Sequence, residues 1–351
     1  MYFKNSICSL VLLVASSLPA AAEKFTCGSD QGFSPYALPD AATLGFDHLK
    51  YAPLDREGVR DYGVFASRFD GPDDDGDGIL DMRAGPVWVS YELKGLADPG
   101  GDLSFKEPDI SINRPGDWYK STGYDFLWTQ NPAVTKRRID NSYDGIGSIW
   151  NRGHLMMADH AQRVSWEASC NTHIYWNAVP QAAAMNQGPW LHIESYVAAL
   201  SNRYGAVWTI AGPIYDPDTP ILAIGDEGEI PVSIPHALFK VIVMEGPDGV
   251  PLVRAFRFDQ PAELGANGKP RPTATAAAGW VKCNQVKKKQ HVYDHKSRLV
   301  ALSDLMQKTG LTFPDALVTA AAADPEATSS LWSVDTRYWS GAVCGGQKYV
   351  P

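Results

Sequence analysis

Long apolar runs, paired cysteines and basic charge are all scarce in this chain of 351 residues. Past residue 22 no stretch approaches the roughly 20 consecutive apolar residues a membrane-spanning helix needs, so no helical span is expected there. None of the cysteines forms a Cys-x-x-Cys pair and there is no His-Glu-x-x-His, which removes the usual sequence signatures of zinc sites. Lys and Arg number 31 against 40 Asp and Glu, a net charge of −9. Wholesale electrostatic capture of a polyanion is therefore disfavoured, and any such substrate must be met by local basic patches. Repeats and low-complexity blocks are missing too. With 44% hydrophobic, 20% charged and 11% aromatic residues, the composition excludes a disordered or collagen-like polymer and suits one or two folded domains.

The N-terminus carries Lys4, a short apolar run from Ile7 to Leu18, and Ala20-Ala21-Ala22 before Glu23. This pattern predicts a secretory signal peptide over residues 1–22 and a secreted or periplasmic product, with no membrane association after cleavage. Removing it deletes Cys8. The remaining Cys27, Cys170, Cys283 and Cys344 are then expected to form two disulfides, by any of three pairings.

The main compositional shift falls near residue 85. Ahead of it, Asp73, Asp75 and Asp77 stand at positions 1, 3 and 5 of a loop with Gly78 at 6, Ile79 at 7 and Asp81 at 9. Such closely spaced carboxylates match the first half of a calcium loop. Ala84 occupies position 12, so the bidentate glutamate of an EF-hand is absent, and a solvated acidic turn is the alternative. From Pro86, Val87, Val89, Tyr91 and Leu93 alternate as in a half-buried strand. Further strands are expected at His173–Val179, Ala206–Ala211, Ala237–Met244 and Leu252–Phe258. Trp190, Ile193, Val197, Leu200 and Tyr204 form one helical stripe, with Pro189 in the first turn and the start near Asn186. A second helix is expected over Leu299–Thr309, closed by Gly310. Strands and helices without regular alternation predict an α+β fold.

One cluster carries chemistry. Asn151-Arg152-Gly153-His154 is followed by Asn177-Ala178-Val179-Pro180-Gln181 and by Asn186, Trp190 and Glu194. These polar residues punctuate Trp150, Leu155, Trp176 and Trp190, which should be buried, and polar groups held by a rigid apolar frame are what a preorganised site needs. Histidine has the pKa of a base near neutrality. A lone carboxamide ligand would leave most positions to water and phosphate, which suits magnesium better than zinc. His160, His173 and His192 read as surface or packing residues. The basic runs Lys136-Arg137-Arg138 and Lys287-Lys288-Lys289 read equally as solvated faces or phosphate guides.

At these residues the sequence resembles the DNA/RNA non-specific endonucleases, the ββα-metal family that includes endonuclease G. The similarity covers about residues 86–315, between an N-terminal extension (23–85) and a C-terminal tail (316–351) that Cys344 could pin. It implies a ββα-metal core with a mixed, largely antiparallel sheet and an endonuclease of DNA and RNA using one Mg2+, for which Mn2+ may substitute, besides structural Ca2+ on the acidic loop. His154 is implied as general base, Asn186 as the direct magnesium ligand, Glu194 as holder of water and helper of the leaving oxygen, and Arg152 as phosphate partner. Asn177 and Gln181 are implied to shape the framework. Asn151 replaces the family's usual aspartate, which keeps the hydrogen-bonding geometry, removes a charge and could shift the pH optimum. Ala198 stands where a further phosphate-contacting arginine is expected. The competing readings are an inactive calcium-binding or adhesion module on the same fold and a small-molecule phosphodiesterase. An inhibitor protein is left open.

Overall fold

A computed structural model describes residues 24–28, 36–70, 83–116, 118–119, 133–136, 138–274, 279–340 and 344–346. The segment expected as a signal peptide and the acidic loop with Asp73, Asp75, Asp77 and Asp81 lie outside the described residues. Strands β1 (Lys24–Thr26) and β5 (Ser111–Asn113) pair in parallel. The main sheet has seven strands: β2 (Arg60–Asp61), β3 (Ala66–Phe69), β4 (Pro86–Lys94), β8 (Ala206–Ile214), β11 (Ala237–Glu245), β12 (Pro251–Asp259) and β15 (Leu299–Val300). Their order is β15-β12-β11-β8-β4-β3-β2, antiparallel throughout. A separate antiparallel hairpin is made by β6 (Trp150–His154) and β7 (Ala178–Ala182). Small two-stranded sheets join β9 (Ala223–Ile224) to β10 (Val232–Ser233), and β13 (Ala262–Leu264) to β14 (Pro270–Pro272). The architecture is α+β.

Both faces of the main sheet are covered, so its strands are buried on both sides rather than half-buried. On β11, Leu238, Ile242 and Met244 join one apolar cluster, which includes Ile193, Val197 and Leu200 of helix α1 (Leu191–Tyr204). Ala237, Phe239, Val241 and Val243 join the other, with Leu302 and Leu305 of helix α2 (Leu302–Thr309) and Leu317 of helix α3 (Asp315–Ala323). Alternation along one extended strand thus feeds two cores. The segment expected as an N-terminal extension supplies β2 and β3 to this sheet, and residue 315 begins a helix that packs on it.

Local departures from the sequence expectations have physical causes. The strand expected at His173–Val179 begins only at Ala178, after a 3₁₀ turn at Tyr175–Asn177. Asn177 explains this, because its side chain accepts from Met156 N at 2.8 Å and donates to Met156 O at 2.9 Å and Thr172 O at 3.0 Å, holding the chain in a turn. The regular helix begins at Leu191, not near Asn186. Residues Asn186–Trp190 form a π-helical turn broken at Gly188 (φ −129°, ψ −106°). A Cβ at Gly188 would stand 2.3 Å from the carbonyl oxygen of Val281, so this close approach admits only glycine. Tyr204 leaves the apolar stripe and is exposed. Leu299 and Val300 pair with β12 before α2 starts, and Gly310 caps α2 in the left-handed conformation (φ 70°). The disulfides are Cys27–Cys170 and Cys283–Cys344. Among the described residues no helix is long and apolar enough to cross a membrane.

Candidate active site

The β6–β7 hairpin, the turn at 186–190 and the start of α1 enclose a cleft of about 670 Å³. Asn151, Arg152, His154, Asn186 and Glu194 all line it, together with Arg114, Trp118, Tyr143, Asp159 and Gln187. Hairpin register accounts for the first three. Asn151 lies opposite Gln181, Arg152 opposite Pro180 and His154 opposite Ala178. A Cβ at Gly153 would fall 2.2 Å from the Gln181 side chain, so the glycine between Arg152 and His154 is what lets Gln181 cross the hairpin. Trp190 closes the other side by donating Nε1–H to the His154 carbonyl at 3.1 Å. Asn177 and Gln181 are fully buried beneath the cleft.

Asn186 is oriented by a chain of amides whose direction follows from one carbonyl. The carbonyl of Gly147 can only accept, so the Asn151 amide donates to it, at 2.7 Å. Asn151 Oδ1 then accepts from Asn186 Nδ2 and from Gln187 Nε2, each at 2.9 Å. With its NH2 group committed to Asn151, Asn186 keeps Oδ1 free of that contact. An aspartate at 151 could accept the same two bonds but could not donate to Gly147.

Glu194 is buried, with Oε1 lacking a hydrogen-bond partner. Its charge partner is Lys240, fully buried on β11, with Nζ 3.9 Å from Glu194 Oε1 and 4.3 Å from the Trp190 ring centroid. Burial pushes Glu194 up to about 8 against the pull of Lys240, with Asp159 adding repulsion. Lys240 is lowered to about 8, again by burial first. His160 ties the helix to the sheet beside this pair: its Nε2–H donates to the Glu194 carbonyl at 3.2 Å, and Tyr91 OH donates to its Nδ1 at 3.3 Å.

The imidazole of His154 opens on the cleft, but its Nε2 is buried without a hydrogen-bond partner, so Nδ1 is the nitrogen available to the cleft. Burial holds His154 well below its usual pKa, with His173 and Arg114 adding to the effect. Arg152 is half-buried and already engaged. It reaches Asp140 at 3.2 Å and Tyr175 OH at 3.1 Å, and its guanidinium lies over the Tyr143 ring. Arg114 is exposed on the cleft wall and has no ion pair among the described residues.

Sequence reading missed Arg114 and Lys240, while His173, read as a surface or packing residue, is buried and packs on the rings of Trp118 and His154. For Lys240 a signal was present: a lysine in the otherwise apolar run Ala237–Met244 falls on the same strand face as Leu238 and Ile242. Arg114 is marked only by the following Pro115-Gly116 turn. Of the basic runs, Lys136 is paired with Glu229 at 2.9 Å, while Lys287, Lys288 and Lys289 are exposed. Among the described residues no group of three or more His, Cys, Asp or Glu side chains is placed to hold a metal.

A hairpin delivering histidine, followed by a π-helical turn delivering asparagine and a helix delivering glutamate to the same cleft, defines a ββα site on an α+β scaffold. The chain belongs to the DNA/RNA non-specific endonuclease family, whose model matches residues 83–320. It is 35% identical to the mitochondrial nuclease EXOG of Mus musculus over 118 residues, 32% of each chain. Against human mitochondrial endonuclease G the figures are 32% over 132 residues, 36% of this chain and 43% of that protein. Against the nuclease of Serratia marcescens they are 31% over 140 residues, 39% and 50%. These matches span about a third to a half of the curated relatives' own length. A solved chain of an EndoG/EndoGI complex aligns with TM-score 0.49 and 18% identity over 80% of this chain and 94% of that one.

Proposed function

We propose that the protein is a secreted, magnesium-dependent nuclease that hydrolyses phosphodiester bonds of DNA and RNA without reading sequence. The observation that carries this reading is the convergence of His154, Asn186 and Glu194 on one cleft that Arg114 and Arg152 flank. The donor set suits a hard divalent cation, whose charge would also draw Glu194 into its ionised form: a neutral carboxamide whose NH2 group is committed elsewhere, and a buried carboxyl oxygen without a hydrogen-bond partner. Asn186 would hold a single Mg2+, or Mn2+ in its place, while Glu194 would hold water beside it. When bound, the cation supplies Lewis-acid stabilisation of the charge developing on phosphate.

His154 takes the proton of the attacking water at Nδ1, as a positioned base contributing about 10²–10⁴-fold. Its depressed basicity keeps the ring neutral, and so able to accept, at neutral pH. Arg114 supplies an uncommitted guanidinium to the phosphate. Arg152 contributes its remaining positive face while Asp140 and Tyr175 fix its orientation. Backbone contacts of this kind position a nucleic acid without specifying sequence. Export is supported by the leader at residues 1–22 and by two disulfides, which persist in oxidising compartments. A calcium ion on Asp73, Asp75, Asp77 and Asp81 is proposed from the sequence pattern alone; calcium titration of an Asp75→Ala, Asp77→Ala variant tests it, and unchanged affinity would dismiss it.

The deciding assay incubates the purified protein with supercoiled plasmid and with RNA, in magnesium, manganese or chelator, beside His154→Ala. Degradation of both substrates that requires the cation and disappears in the variant is expected. Equal degradation by variant and wild type overturns the assignment of the base. Turnover of small diesters with plasmid left intact favours a small-molecule phosphodiesterase, and binding of calcium without any turnover favours an inactive module.

A further inference from the structure

The segment from Trp280 to Arg298 carries six cations, Lys282, Lys287, Lys288, Lys289, Lys296 and Arg298, against the single carboxylate of Asp294, in a chain whose net charge is −9. Lys287, Lys288, Lys289 and Lys296 are exposed, and none of these four makes an ion pair among the described residues. The other basic run is neutralised within the molecule: Lys136 pairs with Glu229 at 2.9 Å and Arg138 with Asp140 at 3.3 Å. Like charges this close together repel unless a counter-charge arrives.

The segment is pressed against the turn that carries Asn186. The Val281 carbonyl oxygen lies 2.3 Å from where a Cβ of Gly188 would stand, and Tyr293 OH, which donates to that carbonyl, lies 3.2 Å from the same point. His295 donates Nε2–H to the Pro189 carbonyl at 2.8 Å. Lys282 and Lys296 are the next residues along the chain from these two contacts. Val281, Val286, Tyr293 and Cys344 form a small apolar cluster against which Leu191 packs, and Leu191 also lines the cleft. One side chain therefore separates the cleft from the core of the basic segment. Val286 is turned to that cluster, which leaves the three lysines after it to solvent. The Cys283–Cys344 disulfide ties the whole segment to the tail.

We propose that this segment is an accessory backbone-binding surface: Lys282, Lys287, Lys288, Lys289 and Lys296 receive the phosphates of a nucleic acid strand as it leaves the cleft past Gln187 and Leu191. The inference rests on the nuclease reading and extends it from the scissile bond to the flanking nucleotides. A lysine is a point charge on a flexible stem, so it follows a phosphate backbone without reading bases. The acidic remainder of the molecule repels a polyanion, and a basic patch beside the cleft then sets where the strand lies. Substrates long enough to span cleft and segment gain affinity that a dinucleotide does not.

The test compares the full chain with a triple variant, Lys287→Gln, Lys288→Gln, Lys289→Gln, and with the charge-keeping triple Lys287→Arg, Lys288→Arg, Lys289→Arg. Affinity for a fluorescent DNA duplex is read by anisotropy in chelator from about 50 to 200 mM NaCl. In magnesium, kcat and KM are measured on the duplex and on a dinucleoside phosphate too short to reach the lysines. Each phosphate contact contributes about 0.9 to the slope of log affinity on log salt, so the glutamine triple should lose about two to three of that slope and bind the duplex about 10- to 100-fold more weakly. Its KM on duplex should rise at unchanged kcat, with turnover of the dinucleoside phosphate unaltered. The arginine triple should stay near wild type in all four measurements. Lys308→Gln, on α2 across the sheet, should leave the salt slope alone. An unchanged slope in the glutamine triple overturns the proposal, and so does an equal fall per charge in Lys308→Gln, which would assign the effect to net charge. If the wild type leaves the duplex uncut in magnesium, the nuclease reading falls while the salt slope still decides whether the segment grips a phosphate backbone.

Discussion

The two faces of strand β11 follow the same alternation and carry opposite chemistry. On one face Ala237, Phe239, Val241 and Val243 pack under α2 and α3 with no polar side chain among them. On the other, Leu238, Ile242 and Met244 flank Lys240, which is as buried as they are and sits under Glu194. Nearby, on the same side, lie His154, His160, His173, Asn177 and Gln181, several with atoms that no neighbour satisfies. A core built for stability alone would have no reason to tolerate them, since burying an unpaired polar group costs roughly 1–3 kcal/mol in mutational data. The difference teaches that one side of the sheet holds the molecule together while the other spends stability on a preorganised cleft.

Substitutions that separate activity from stability sharpen this contrast. His154→Ala should lower nuclease activity by about 10²–10⁴-fold while leaving the thermal midpoint nearly unchanged; a matched fall in both would make it a packing residue. Phe239→Ala on the opposite face should do the reverse. A loss of about 3–5 kcal/mol in urea unfolding is expected, with kcat of the folded fraction intact, and a kcat defect at full folding would break the division.

Acid should attack the site side next. Burial lowers His173 to about 4, and burial together with His192 lowers His295 to about 3, both from an ordinary 6.5. Since the unfolded state takes up these protons first, the stability each contributes is complete above pH 6.5 and is lost as pH falls toward the folded-state values, on the order of 3 kcal/mol for His173 and 5 kcal/mol for His295 by the ~1.4 kcal/mol per pKa unit rule. His295 Nε2–H donates to the Pro189 carbonyl at 2.8 Å. His295→Phe should therefore be less stable at pH 7 and show a shallower decline between pH 6.5 and 4 than wild type; an identical slope would remove His295 from the acid response.

The smallest expected effect is that of Lys240→Met. Loss of the Lys240 cation removes the pull that offsets burial, so a carboxyl already raised to about 8 moves further up; the activity profile should shift to higher pH, with activity near pH 7 lowered about tenfold for each unit of that shift. Stability should hold or rise, as when apolar residues replace buried ion pairs. A variant that kept full activity would show that Lys240 is an accident of the strand.

Much of the site was legible in one dimension because its parts are local. Arg152 and His154 share one strand, Asn186, Trp190 and Glu194 stand at intervals of four residues, and the apolar stripe of the helix announced itself. The exceptions were a matter of competing local bonds: Asn177 held a turn where a strand was expected, and Gly188 broke the helix that Pro189 permitted. Arg114 on the cleft wall and Lys240 beneath it were not legible as parts of the site. Each is an ordinary residue in its own segment and gains its place from groups far along the chain: Lys240 from Glu194, Arg114 from the wall it shares with His154 and Glu194.

The order of residues alone determined the α+β class and marked the polar cluster that holds the candidate base and the candidate metal ligand, since periodicity and short-range spacing are written directly in the chain. Which cysteines pair, which lone pair faces the cleft and which lysine lies beneath the glutamate were decided only when distant segments packed. Burial and hydrogen-bond direction are properties of a surrounding shell, and that shell is assembled from every part of the sequence at once.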